Sequence, residues 1–105
     1  MEKIYNITAA VDADIAGEWL DEAVSSFLPA LMAVPGVLNV ELIEVQAPEA
    51  PKESRTFTVQ IRFADPGALE TFLSQQERRA EKELFEKFGS KYVTFRLQLN
   101  SLHRL

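Results

Sequence analysis

Apolar and polar residues alternate every second position in four stretches of the chain. Residues 3–12 set Tyr5, Ile7, Ala9 and Val11 on one side and Ile4, Asn6, Thr8 and Ala10 on the other. Such alternation, rich in β-branched residues, predicts a strand. Residues 37–46 place Leu38, Val40, Leu42 and Glu44 opposite Asn39, Glu41, Ile43 and Val45. Residues 55–64 alternate most cleanly, with Phe57, Val59, Ile61 and Phe63 against Thr56, Thr58, Gln60 and Arg62. Residues 91–100 set Val93, Phe95, Leu97 and Leu99 against Tyr92, Thr94, Arg96, Gln98 and Asn100. In each strand the more apolar side is expected to meet the core.

Two stretches repeat at helical spacing instead. Ile15, Trp19, Ala23, Phe27 and Leu31 form one stripe, flanked by Leu20, Val24 and Leu28. Asp12 or Asp14 is placed to cap this helix. Pro29 lacks an N–H and crowds the preceding turn, so a kink or a break with restart is expected near Phe27 to Pro29. Pro35 and Gly36 end the segment. The second stripe is Leu69, Phe72, Leu73, Gln76, Ala80, Leu84 and Phe88, started by Asp65 as N-cap and Pro66 in the first turn. The charged run Glu77 to Lys87 reads as its solvated face, with Arg79–Glu83 and Glu83–Lys87 pairs. Gly89 is expected to close the helix as a left-handed cap. Residues 47–53 are a polar, proline-bearing connector expected to be mobile, and residues 101–105 form a short tail.

The order β-α-β-β-α-β, with one apolar side per strand and one stripe per helix, predicts an α+β sandwich. Right-handed crossovers favour the ferredoxin-like split βαβ arrangement, an antiparallel four-stranded sheet in order 4-1-3-2 with both helices on one face. Residues 1–105 are read as a single such domain.

Composition narrows the function. The 105 residues carry a net charge of -5, which argues against nucleic acid and against an anionic membrane surface as partners. Hydrophobic residues make up 47%, enough for one core. There is no cysteine and one histidine, His103 near the end. Thiolate metal sites and cysteine nucleophiles are thereby excluded, and a histidine-based triad or a two-histidine metal site has no support. No metal and no cofactor is expected. Met1-Glu2-Lys3 runs straight into a strand with no apolar leader, and no apolar run is long enough to span a bilayer, so the cytoplasm is the expected location.

The sheet face away from the helices holds the candidate chemistry. It is expected to carry Asn6, Thr8, Glu41, Thr58, Gln60, Arg62, Thr94, Arg96 and Gln98, with Ile4, Ile43, Val45 and Tyr92 among them. Either this face is simply wet, or two copies stack here into a closed barrel whose interior is lined by polar groups. Arg62 and Arg96 are placed to clamp a carboxylate or phosphate, or else to form a salt bridge, for instance with Glu41. Asn6, Thr8, Gln60 and Thr94 serve a ligand or one another. Glu41 and Tyr92 are the groups able to move a proton. Trp19 reads as a core or interface anchor. Gly36 and Gly89 read as backbone devices, being too few and too far apart for a phosphate loop.

The segments Ile4-Tyr5-Asn6-Ile7-Thr8, Glu18-Trp19-Leu20, Phe27-Leu28-Pro29 and Phe88-Gly89, followed by Phe95-Arg96, resemble a bacterial family of small proteins labelled a domain of unknown function. The likeness runs over almost the whole chain. It implies a ferredoxin-like fold and a homodimeric α/β barrel, and no activity. Relatives commonly have His before Ile-Pro where this chain has Phe27-Leu28-Pro29. A looser resemblance is to barrel monooxygenases that use no metal, through Asn6 and Trp19, and to their haem-degrading relatives. The haem-ligating histidine of the second helix has no counterpart in residues 66–88. Three functions follow as expectations. The first is a homodimeric ligand-binding or interaction module. The second is a cofactor-independent monooxygenase or isomerase acting on a small aromatic or anionic molecule. The third is a purely structural or regulatory partner protein.

Overall fold

A computed structural model describes residues 2–46 and 52–105. The predicted connector 47–53 therefore lies mostly outside the described residues. Four strands, β1 (Lys3–Asp12), β2 (Val37–Val45), β3 (Ser54–Phe63) and β4 (Tyr92–Leu99), form one antiparallel sheet in the order β2-β3-β1-β4. Read from the other edge, this is the expected ferredoxin-like order. A first helix over residues 16–32 links β1 to β2, and a second over residues 66–88 links β3 to β4.

The two central strands turn their apolar sides to the helices as predicted. Tyr5, Ile7, Ala9 and Val11 on β1 and Phe57, Val59, Ile61 and Phe63 on β3 are all buried. They pack with Trp19, Phe27 and Leu31 of the first helix and Phe72 and Leu84 of the second. Trp19 stacks on Phe57 with ring centroids 5.3 Å apart, an anchor for the core rather than a surface group.

The edge strands depart from expectation. In β2 the pairing with β3 shifts between Val37 and Asn39. This irregularity turns Leu38 outward, where it is 51% exposed, and leaves Val37, Val40 and Leu42 against the core. In β4 the two sides are reversed. Tyr92, Thr94, Arg96 and Gln98 lie opposite Val11, Ala9, Ile7 and Tyr5, and so share the helix side of the sheet. Val93, Phe95, Leu97 and Leu99 stand on the open face, Phe95 being 64% exposed. Alternation shows that two sides differ. It does not show which one is covered, and on β4 the covering helix offers carboxylates that select the polar side.

Both helices contain one wide π turn, over Ala23–Phe27 and Phe72–Gln76. In the first, Leu28 N–H donates to Ala23 O just before Pro29, and helical geometry resumes at once. The expected break is thus absorbed as one extra residue in a turn. Neither Asp12 nor Asp14 caps the helix through its side chain, and a short 3₁₀ turn, Ala13–Ile15, with Asp14 inside it, starts the segment instead. In the second helix Asp65 caps as predicted, accepting Ala68 N–H at 2.9 Å with Pro66 beside it. Its π turn bonds Glu77 N–H to Phe72 O. The fully inward series therefore runs Leu69, Phe72, Glu81 and Leu84, with Glu77 half-buried alongside the expected Gln76 and Ala80, and Ala80 still touching the core. The expected pairs of Lys87 and Arg79 with Glu83 are not among the ion pairs of the described residues; Lys87 instead reaches Glu22 of the first helix at 2.5 Å.

Gly89 is right-handed, at φ -57°, contrary to expectation. A side chain there would put its Cβ 2.6 Å from Phe85 O, which accounts for glycine without a left-handed turn. Gly36 alone among the described residues has positive φ, at 85°, and a Cβ there would collide with Ala68.

Candidate functional site

The reversal of β4 divides the predicted site residues between two faces. Asn6, Thr8, Glu41, Gln60 and Arg62 stay on the open face, while Tyr92, Thr94 and Arg96 lie on the helix side. The expected clamp of Arg62 and Arg96 cannot form, since a sheet separates them. Arg62 pairs with Glu2 at 3.0 Å rather than with Glu41. At the centre of the open face Thr8 Oγ1 donates to Asn6 Oδ1 over 2.7 Å and lies 3.1 Å from Thr58 Oγ1. With the Thr8 proton so engaged, Thr58 is the donor in the second contact. Asn6 and Thr58 are 7% and 8% exposed even on this uncovered face. The two hydroxyls and the Asn6 side-chain oxygen thus bond one another.

The helix side holds a longer polar chain. Tyr5 Oη donates to Glu77 Oε2 at 2.6 Å, and Arg96 Nη1 donates to the same oxygen at 2.6 Å. Arg96 Nη2 donates to Glu81 Oε1 at 2.6 Å, and Tyr92 Oη to Glu81 Oε2 at 2.7 Å. The strands supply the two phenols and the guanidinium, and the second helix supplies two carboxylates one turn apart. The π turn is what aims both carboxylates at the sheet. Sequence reasoning assigned Glu77 and Glu81 to the solvated face because an uninterrupted helical period puts Gln76 and Ala80 inward. The available signal was complementary: a tyrosine and an arginine on β4 that only helix carboxylates could satisfy.

Electrostatics follow from this geometry. Burial, with the bond to Glu77 and its charge, pushes the Tyr5 phenol up to about 12. Burial and Glu81 push Tyr92 well above the ordinary tyrosine range. Both phenols thus remain hydrogen-bond donors near neutrality. For Arg96, burial works against the charge, but the bond to Glu81 and the charges of Glu81 and Glu77 outweigh it and raise its pKa. Arg96 gives one bond from each terminal nitrogen to these carboxylates and keeps about a third of its side chain exposed.

Beside this network lies a cavity of about 500 Å³ between the second helix and β4. Its inner wall is Glu81, Tyr92, Thr94 and Arg96. Its rim is Arg78, Lys82, Phe85 and Glu86 from the second helix, with Phe85 62% exposed. Among the described residues neither Arg78 nor Lys82 forms an ion pair. The volume suits a small organic molecule, and the wall combines aromatic surface with a few placed polar groups. Among the described residues no three His, Asp or Glu side chains gather as a metal site requires. No helix of the described residues is long and apolar enough to cross a membrane.

Solved structures share this architecture. SnoaB from Streptomyces nogalater, described as a cofactor-independent oxygenase, matches with a TM-score of 0.68 at 8% identity, covering 100% of this chain and 98% of its own. HapK from Hahella chejuensis matches with a TM-score of 0.67 at 17% identity, covering 99% and 95%. An ethyl tert-butyl ether d (ethd) family protein from Bacillus halodurans matches with a TM-score of 0.63 at 12% identity, covering 90% and 96%. At these identities the likeness is one of fold. No curated protein matches the sequence. The model of one family does match, over residues 2–102, and the chain belongs to that family, the domain of unknown function DUF4286.

Proposed function

We propose that this chain works in the cytoplasm as a homodimeric module that binds a small aromatic anion between its second helix and β4. The observation that carries the reading is the 500 Å³ cavity, with two cations at its rim that form no ion pair among the described residues and aromatic side chains beside them. Arg78 and Lys82, one helical turn apart, would take the carboxylate or phosphate; Phe85 and Tyr92 would take the ring. Arg96 serves the site by holding Glu77 and Glu81 rather than by touching the anion.

Dimerisation belongs to the same reading. Val93, Phe95 and Leu97 form an exposed apolar row on the open face, and β2 adds Val45 at the far edge. Patches of this kind on a sheet face mark an interaction surface. The occupant is a second copy: the Asn6–Thr8–Thr58 centre pairs its hydroxyls internally and keeps the Asn6 amide N–H groups for bonds across the interface, beside the apolar row of Val93, Phe95 and Leu97.

Catalysis is the second reading, favoured by the shared architecture with SnoaB. A cofactor-independent oxygenase needs a bound substrate sealed from water and a group that takes its proton. Glu81, at the cavity wall and 8% exposed, is the group placed for that role.

Titration of the labelled protein with benzoate, followed in proton–nitrogen correlation spectra, tests the binding reading. The expected shifts fall at Glu81, Lys82, Phe85, Tyr92 and Thr94. Shifts confined to Asn6, Thr8, Thr58 and Gln60 would instead put the site on the open face and overturn it.

A further inference from the structure

The cavity has two poles, and this bears on what else its ligand carries. Glu81 at the inner wall shares the Arg96 guanidinium with Glu77 behind it, and Tyr92 and Tyr5 are neutral donors to these two carboxylates. The five groups therefore hold one net negative charge. Glu81 is nine-tenths buried, and an uncompensated charge there is costly. Each Glu81 oxygen accepts one hydrogen bond, from Arg96 or from Tyr92, whereas a carboxylate oxygen accepts two. Spare acceptor capacity and spare negative charge thus meet at a wall of the cavity. The rim has the opposite character. Arg78 and Lys82 are unpaired among the described residues, with Glu86 the single acidic side chain beside them. Phe85 and Tyr92 provide apolar surface between the poles.

Resting on the binding reading above, we infer that the ligand is a small aromatic zwitterion. Its ammonium, or an equally strong cationic donor, meets Glu81; its ring lies against Phe85 and Tyr92; its carboxylate meets Arg78 and Lys82. The ammonium would complete the charge balance of the Glu77–Arg96–Glu81 network, and the carboxylate that of the rim.

Three probes of one size separate the contributions: para-aminomethylbenzoate, para-toluate and para-methylbenzylamine, titrated against the wild-type protein in the same spectra. The zwitterion is expected to bind at least about tenfold tighter than either single-ended probe, as a charge-assisted hydrogen bond to a buried carboxylate gives. Glu81→Gln should bring the zwitterion down to the affinity of toluate. Lys82→Gln, on an exposed helix position that does not threaten the fold, should weaken zwitterion and toluate by a similar factor and leave methylbenzylamine unchanged. Toluate binding wild type as tightly as the zwitterion would overturn this inference while leaving the aromatic-anion reading in place. Failure of all three probes to shift the cavity residues would remove both.

Discussion

Arg96 and Glu81 join the edge strand to the second helix through a 2.6 Å hydrogen bond between ions. The contact sits in a network where Glu81 also accepts from Tyr92 and Arg96 also donates to Glu77. Removing Arg96 leaves the buried Glu81 and the half-buried Glu77 carboxylates without a counter-charge. Arg96→Met is expected to destabilise the fold by about 2 kcal/mol, less than for a fully buried pair because the guanidinium keeps some solvent contact. A double-mutant cycle of Arg96→Met and Glu81→Gln in urea should return a coupling energy of about 1 kcal/mol or more. Strictly additive effects would mean that the pair contributes nothing of its own.

Tyr5 and Tyr92 are the chain's two tyrosines, so phenolate absorbance reports on this network alone. Both phenols bind their protons more tightly in the folded state, Tyr5 up to about 12 and Tyr92 higher, against an unfolded value of 10.0. The stability this contributes is complete below about pH 10 and is lost as pH rises toward and through the folded values. Native protein should show no phenolate signal near pH 10, and its unfolding free energy should fall above that pH. Tyr5→Phe should make the fall shallower. Native phenolate appearing at the ordinary tyrosine pKa would contradict the hydrogen bonds to Glu77 and Glu81.

How much of this was legible varies by element, for physical reasons. β1 and β3 are central strands, and rows such as Tyr5-Ile7-Ala9-Val11 have no stable place except under the helices. Asp65 and Pro66 announced their helix start because capping is local chemistry. β4 was misread because its more apolar row faces away from the helices, and a single chain gives no reason to expect that face to be covered. Glu77 and Glu81 were misread because a π turn adds a residue at Phe72–Gln76 and no composition marks it. Leu38 was misread because a register shift in β2 turns it outward. The misses at β4 and at Glu81 border the cavity.

Gly36 closes the turn into β2 in the left-handed region, and Ala68 of the second helix occupies the space a side chain would need. Gly36→Ala meets both penalties, backbone strain and collision, and is expected to cost about 2 kcal/mol in thermal or urea unfolding. Gly17, where a Cβ meets nothing within 4 Å, provides the control: Gly17→Ala should be neutral or slightly stabilising. Equal effects at the two positions would show that the turn is not as drawn.

The orientation of β4 matters most: its polar side meets the second helix, and its apolar side is the proposed seat of a second copy. Sedimentation equilibrium of the wild type beside Phe95→Asp measures this directly. The wild type is expected at twice the chain mass at micromolar concentration. Phe95→Asp is expected at the mass of one chain with its circular dichroism unchanged, because that side chain contributes nothing to the core. A wild type at the mass of one chain, or a Phe95→Asp protein that unfolds, would contradict it.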